Sequence, residues 1–247
     1  MLCAVTIVLD FVKLRYVADE FKNRMISEIV QQGCGCIAVI LLLLRLDVRL
    51  FEKPQGWLYL IPGIIIAVDN FAFYSYFQGN MRLAETEAMD FILFGGYCLA
   101  VGLFEECIFR GVIFSVLASS FSKDKKGFIK TYIVSSLIFG LAHLFNGFSA
   151  GTMLQVGYTI LTGGLFAFVL IKTKNLLCCG FVHALYNFCG LIFSTQGMGM
   201  GVVFDLGTAL TMLIVSVPVG VFVLYKVFIY SDAERDRLYV KLGVKND

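Results

Sequence analysis

Long apolar runs, each about the length of a bilayer crossing and separated by short polar breaks, occupy most of this chain. A helix needs about 20 mostly apolar residues to span the hydrocarbon layer. That ruler predicts spans near 26–44, 57–77, 89–118, 128–146, 151–171, 175–194 and 202–229. The breaks run from Arg45 to Gln55, Gly79 to Glu87, Ser122 to Lys126, Asn146 to Ser149, Lys172 to Asn175 and Thr195 to Gly201. The expected count is about seven, with six to eight inside the tolerance of the ruler. The runs are continuous rather than alternating, and lipid offers no water to an open strand edge, so helices are expected. The chain reads as an all-α, polytopic transmembrane helix bundle.

Composition agrees. Hydrophobic residues make up 59% and charged residues 15%, against about 45–50% and 25% in a soluble domain. Both an ordinary cytosolic enzyme and a disordered chain are thereby excluded. Twenty basic and 18 acidic residues leave a net charge of +2. That is no basic face for nucleic acid, and the expected partner surface is the bilayer. The eight cysteines lie mostly in apolar stretches without zinc-ribbon or CxxC spacing, which reads as small buried hydrophobes with free thiols. Met1 to Val12 is apolar but has no basic region ahead of it, and Asp10 interrupts it. It reads as a membrane-associated segment rather than a signal peptide.

The Lys/Arg bias sets an expected orientation. Arg45, Arg49, Lys53, Lys123, Lys125, Lys126, Lys130, Lys172, Lys174 and the basic tail fall on one side, while the opposite interior loops carry Arg82. The C-terminus is therefore expected in the cytoplasm of a multi-pass protein, at the cell membrane if the source is bacterial. Lys13, Arg15, Lys22 and Arg24 run against this rule. Either residues 13–24 lie flat on the surface or the count is off by one. The expected organisation is N-terminal membrane helices over 1–90, a core over 91–194, and a last span with tail over 195–247. The tail from Ser231 reads as a short solvated helix, and Gly197 to Gly201 as a flexible turn.

An ionisable group within the hydrocarbon is a functional hypothesis by default. The third span holds Glu105-Glu106-Cys107-Ile108-Phe109-Arg110 near its middle. Glu106 and Arg110 are four apart and share a helix face, with the acid first, the better order for an ion pair. Glu105 points about 100° away and is the carboxylate left for other work. The chain's two histidines, His143 and His183, are both inside apolar spans. Phe139 stands one turn before His143, where its ring can pack on the imidazole. His183 and Asn187 share a face. A buried Glu can serve as general base, and an imidazole with a carboxamide can hydrogen-bond a developing oxyanion. Asp69, Asn70, Gln155 and Asp205 are further polar residues in spans, read as helix–helix hydrogen-bond partners or interface caps.

Glu105-Glu106-Cys-Ile-Phe-Arg110, Phe139-Gly-Leu-Ala-His143 and His183-Ala-Leu-Tyr-Asn187 match the patterns EExxxR, FxxxH and HxxxN, in that order on separate helices. In these motifs the chain resembles the CAAX protease and bacteriocin-processing (CPBP, or Abi) family of type II CAAX prenyl protease-like proteins. The resemblance covers roughly residues 100–190. It implies an intramembrane endopeptidase of the glutamate type. Glu105 would activate water with help from His143, His183 and Asn187 would form the oxyanion site, and Glu106 and Arg110 would support the architecture. The implied substrate is a membrane-associated peptide or protein, lipidated or not: a CAAX-type protein, or a pheromone or bacteriocin precursor.

Three rival readings stand beside this one. Glu105, His143 and His183 could form a zinc site with an open position, although HExxH is absent and the favoured chemistry uses no cofactor. Gly147-Phe148-Ser149-Ala150-Gly151 matches GxSxG, but the nucleophile elbow needs a strand–turn–helix setting, and small residues at a tight interhelix turn account for the match. A non-enzymatic immunity or peptide-binding protein, or a proton-coupled transporter, would also place polar groups in a bundle.

Overall fold

The computed structural model describes residues 16–201 and 206–244; Met1–Val12, Lys13, Arg15 and Asp205 lie outside them. Among the described residues there is no strand, only an isolated bridge between Leu83 and Gly199. The helices are α1 Glu20–Arg45, α2 Leu60–Asp69, α3 Phe73–Phe77, α4 Ala88–Glu106, α5 Phe114–Ser120 and α6 Lys125–Ala142. They continue as α7 Ala150–Thr173, α8 Leu176–Leu191, α9 Leu206–Phe228 and α10 Asp232–Lys241. A 3-10 turn, Trp57–Tyr59, leads into α2, and another, His143–Asn146, follows α6. Between α4 and α5 the backbone is π-helical over Cys107–Ile113.

Among the described residues, five helical stretches are long and apolar enough to cross a membrane: Glu20–Arg45, Ala88–Ser120, Lys125–Phe145, Thr152–Thr173 and Leu206–Phe228. Two further expected crossings are shorter apolar helices, Trp57–Asp69 and Leu176–Leu191. The first ends because the chain turns at Asn70–Ala72, where Ala72 takes a left-handed φ of 57° before α3 begins. The expected span over 57–77 is thus two helices. The protein is an integral membrane protein.

The chain divides into two compact units, each assembled from three stretches. The first takes residues up to Leu41, Ile64–Glu105 and Gly180–Val219. Met25, Phe94, Cys98, Phe193 and Met198 are buried together at its centre, with Phe71 and Phe188 packed against them. The glycine-rich run after α8 is tied down rather than loose. Met198 is buried, its carbonyl accepts from the Ala84 amide at 2.8 Å, and the Met200 amide donates to the Arg82 carbonyl at 3.1 Å.

The second unit takes Leu42–Gly63, Glu106–Cys179 and Gly220–Asp247. Its axis is α7, buried without interruption from Leu165 to Ile171. Gly163 admits α6 closely, since a Cβ there would lie 3.1 Å from the Phe139 ring and 3.2 Å from the Ser136 carbonyl oxygen. Small residues at such crossings allow tight packing where lipid supplies no hydrophobic drive. The tail is not solvated all round. Ser231 and Glu234 form a capping box at the start of α10, while Leu238, Tyr239 and Leu242 are buried. Polar spacing concealed a face that packs inward, and the Arg49 amide donates to the Lys241 carbonyl at 2.7 Å.

Candidate active site

Each unit carries part of the motif set. In the first, α4 and α8 touch where Gly102 faces Gly180 and Ala184; a Cβ on Gly102 would lie 2.8 Å from both the Ala184 amide nitrogen and the Gly180 carbonyl oxygen. Two helices can approach this closely only where side chains are missing or small. The contact lies one turn before Glu105 on α4 and beside His183 on α8, and it brings those two side chains together. His183 Nε2 stands 3.8 Å from Glu105 Oε2, too far for a direct hydrogen bond. The His183 side chain is 5% exposed and that of Glu105 29% exposed. Oε2 itself is buried and has no hydrogen-bond partner among the described residues. Asn187 lies one turn beyond His183 on the same helix and is half-buried.

In the second unit Glu106 is fully buried. Its Oε1 accepts from Arg110 Nη1 at 3.1 Å, and the two side chains are 0% and 1% exposed. Arg110 Nη2 donates to the Gly163 carbonyl on α7 at 2.8 Å. The guanidinium carbon lies 4.3 Å from the centre of the Phe139 ring and 5.4 Å from that of Phe166. A buried charge needs both a counter-charge and filled hydrogen-bond positions; Arg110 takes the first from Glu106 on α4 and an acceptor from α7, with the Phe139 ring of α6 against its face. The intervening backbone is π-helical, yet the four-residue spacing still closes the ion pair. Single π turns concentrate at functional sites.

Phe139 links that cluster to His143. Its ring meets the imidazole edge-on at 5.1 Å, and its carbonyl lies 2.9 Å from His143 Nδ1. A carbonyl oxygen only accepts, so Nδ1 carries the proton and Nε2 of the neutral ring is left as an acceptor. His143 occupies the point where α6 gives way to the 3-10 turn.

Among the described residues no group of three or more His, Cys, Asp or Glu side chains could hold a metal ion. The seven described cysteines are all free thiols. Ser149 is the N-cap of α7, its Oγ accepting from the Thr152 amide at 3.1 Å and lying 2.9 Å from Thr152 Oγ1. Capping thus accounts for the serine of the GxSxG match. Asp69 accepts from Ser216 Oγ at 3.1 Å, and Asn70 donates to the Tyr186 carbonyl at 3.0 Å.

The sequence reading missed the Gly163 carbonyl, the Phe166 ring and Gly102. A backbone acceptor carries no residue signature, and a glycine at a crossing looks like any other until its neighbour is known. Residues 87–189 match the family of type II CAAX prenyl endopeptidases, Rce1-like. That stretch contains Glu105, Glu106, Arg110, Phe139, His143, His183 and Asn187. No curated protein and no solved structure matches the chain.

Proposed function

We propose, from the match of residues 87–189 to the type II CAAX prenyl endopeptidase Rce1-like family, that the protein is a glutamate-type intramembrane endopeptidase. Its substrate is a membrane-associated peptide or protein of CAAX, pheromone or bacteriocin-precursor type, with the enzyme's C-terminal tail in the cytoplasm. The observation that carries the reading is Glu105. It is a carboxylate within a membrane span whose buried Oε2 has no hydrogen-bond partner among the described residues and which faces the histidine of the third motif at 3.8 Å. Its neighbour Glu106 is engaged by Arg110.

In this mechanism Glu105 takes a proton from water, and the resulting hydroxide attacks the scissile carbonyl carbon. His143, protonated on Nδ1, offers Nε2 to hold that water. The carbonyl oxygen becomes an oxyanion, to which His183 and Asn187 donate hydrogen bonds; such donors count most because they act on charge that develops only in the transition state. The C–N bond then breaks as Glu105 returns its proton to the leaving amine. No metal enters these steps.

The test is comparative peptide mass spectrometry of membranes and medium from cells with the native protein, Glu105→Gln, Ser149→Ala, or no protein. A fragment that vanishes with Glu105→Gln and persists with Ser149→Ala supports the proposal and names the substrate. Identical profiles in all four, with Glu105→Gln reaching the membrane normally, would sink it in favour of a binding or immunity role. Loss of cleavage with a chelator and its return with zinc would overturn the metal-free chemistry alone.

A further inference from the structure

We propose that Asn70 is a positioning residue that fixes the register of α8, and with it His183 and Asn187. The inference deepens the endopeptidase reading and rests on it for its kinetic consequences. The chain turns at the end of α2, and Asn70 reaches across to α8. Its Nδ2 donates to the Tyr186 carbonyl at 3.0 Å, at the residue immediately before Asn187. That carbonyl already lies within a helix, and its second lone pair remains available to an outside donor.

The helix is shaped to receive the amide. Tyr186 and Gly190 are one turn apart, and a Cβ on Gly190 would lie 2.1 Å from Asn70 Nδ2. Glycine there leaves the space that the Asn70 side chain fills. The neighbouring Asp69 holds α2 to α9 through Ser216 Oγ at 3.1 Å. After the turn, Ser75 on α3 is buried against Thr208, with their hydroxyls 2.5 Å apart. The segment presenting Asn70 is therefore anchored on both sides, so its amide is a fixed point against which α8 is set. A hydrogen bond to the helix backbone resists sliding and rotation of α8 in a way that apolar packing in lipid does not.

The chain has two histidines, so histidine labelled with 13C at Cε1 gives two signals, assigned by the loss of one in His143→Gln. Full-length protein in phosphatidylcholine nanodiscs would be titrated as native, Asn70→Ala, Gly190→Ala and the double variant. Asn70→Ala is expected to move the His183 signal and its titration midpoint and to leave those of His143 in place. Gly190→Ala should produce the same displacement, because its methyl group expels the Asn70 amide. In the double variant the second change should add little, since each acts by removing one interaction. On the substrate peptide found by mass spectrometry, kcat should fall roughly 10- to 100-fold, as for a misplaced catalytic group, with KM within about twofold. Asn70→Asp, the same shape without a donor, should behave as Asn70→Ala.

An unmoved His183 signal in Asn70→Ala, or fully additive effects in the double variant, would overturn the proposal. A loss confined to KM would do the same. If Glu105→Gln leaves every peptide unchanged, the endopeptidase reading fails separately, and the spectra alone decide whether Asn70 sets α8.

Discussion

The Arg110 guanidinium carbon stands 4.3 Å from the centre of the Phe139 ring. The same phenylalanine supports His143 with its ring and with its carbonyl. A residue assigned by motif to architecture is thus one contact away from a residue assigned to chemistry. Disturbing Arg110 should therefore be felt at His143 as well as in stability.

Arg110→Ala is expected to destabilise the protein by about 3–5 kcal/mol, the cost of leaving one member of a buried ion pair uncompensated. Arg110→Lys should fall between native and alanine, because an ammonium lacks the planar fork that serves Glu106 and the Gly163 carbonyl together. Thermal unfolding in detergent and abundance in the membrane measure both. A native melting temperature for Arg110→Ala would contradict the assignment.

The adjacent carboxylates should respond oppositely to amide substitution. Glu105→Gln should abolish cleavage at unchanged melting temperature, because its buried Oε2 has no hydrogen bond to lose. Glu106→Gln should cost about 3–5 kcal/mol, since it strips the counter-charge from a buried guanidinium. Parallel melting curves and cleavage assays on the two variants make the comparison, and equal destabilisation would refute it.

Gly102→Ala tests the crossing of α4 and α8. The added methyl would meet backbone atoms at 2.8 Å, and backbone cannot swing aside as a flexible side chain can. A loss of about 1–3 kcal/mol is expected from overpacking, with cleavage reduced further because Glu105 and His183 move apart. Gly95→Ala, on the same helix with no atom within 4 Å of the new Cβ, is the control and should retain both.

At the start of α6, the Gly127 amide and the Ser122 hydroxyl both donate to Asp124 and hold its carboxyl below the usual aspartate value of 3.8. A carboxyl whose folded value is depressed stabilises the fold fully above its unfolded value, and loses that contribution as pH falls through the folded one. The melting temperature of native protein should therefore drop relative to Asp124→Asn as pH is lowered below about 4. A difference that stays constant with pH would show that the cap does not depend on charge.

Much of the candidate site was legible in the sequence because its parts are local. Glu106 and Arg110, Phe139 and His143, and His183 and Asn187 are each one turn apart, and helix geometry alone places such pairs side by side. The helical character of the spans was equally legible. The π-helical turn over Cys107–Ile113 was not, because it reflects backbone hydrogen bonding that residue types there do not specify. Nor was the buried face of α10, whose charges hide Leu238 and Tyr239. The position of Asn70 in an apolar span points to a helix–helix hydrogen-bond partner or an interface cap, but nothing in the sequence names Tyr186, since its side chain takes no part in the bond.

By itself, the sequence determined that this chain is a membrane helix protein and which residues are the candidates for its chemistry. Apolar length and the helical repeat act over neighbouring residues, and three spaced motifs survive reading in one dimension. Only the tertiary structure decided that the Oε2 atom of Glu105 is buried without a hydrogen-bond partner among the described residues. It also decided that Glu105 faces His183, and that α8 is held through a carbonyl. Those outcomes depend on distant glycines and backbone oxygens meeting in space, and a backbone oxygen is the same whatever residue carries it.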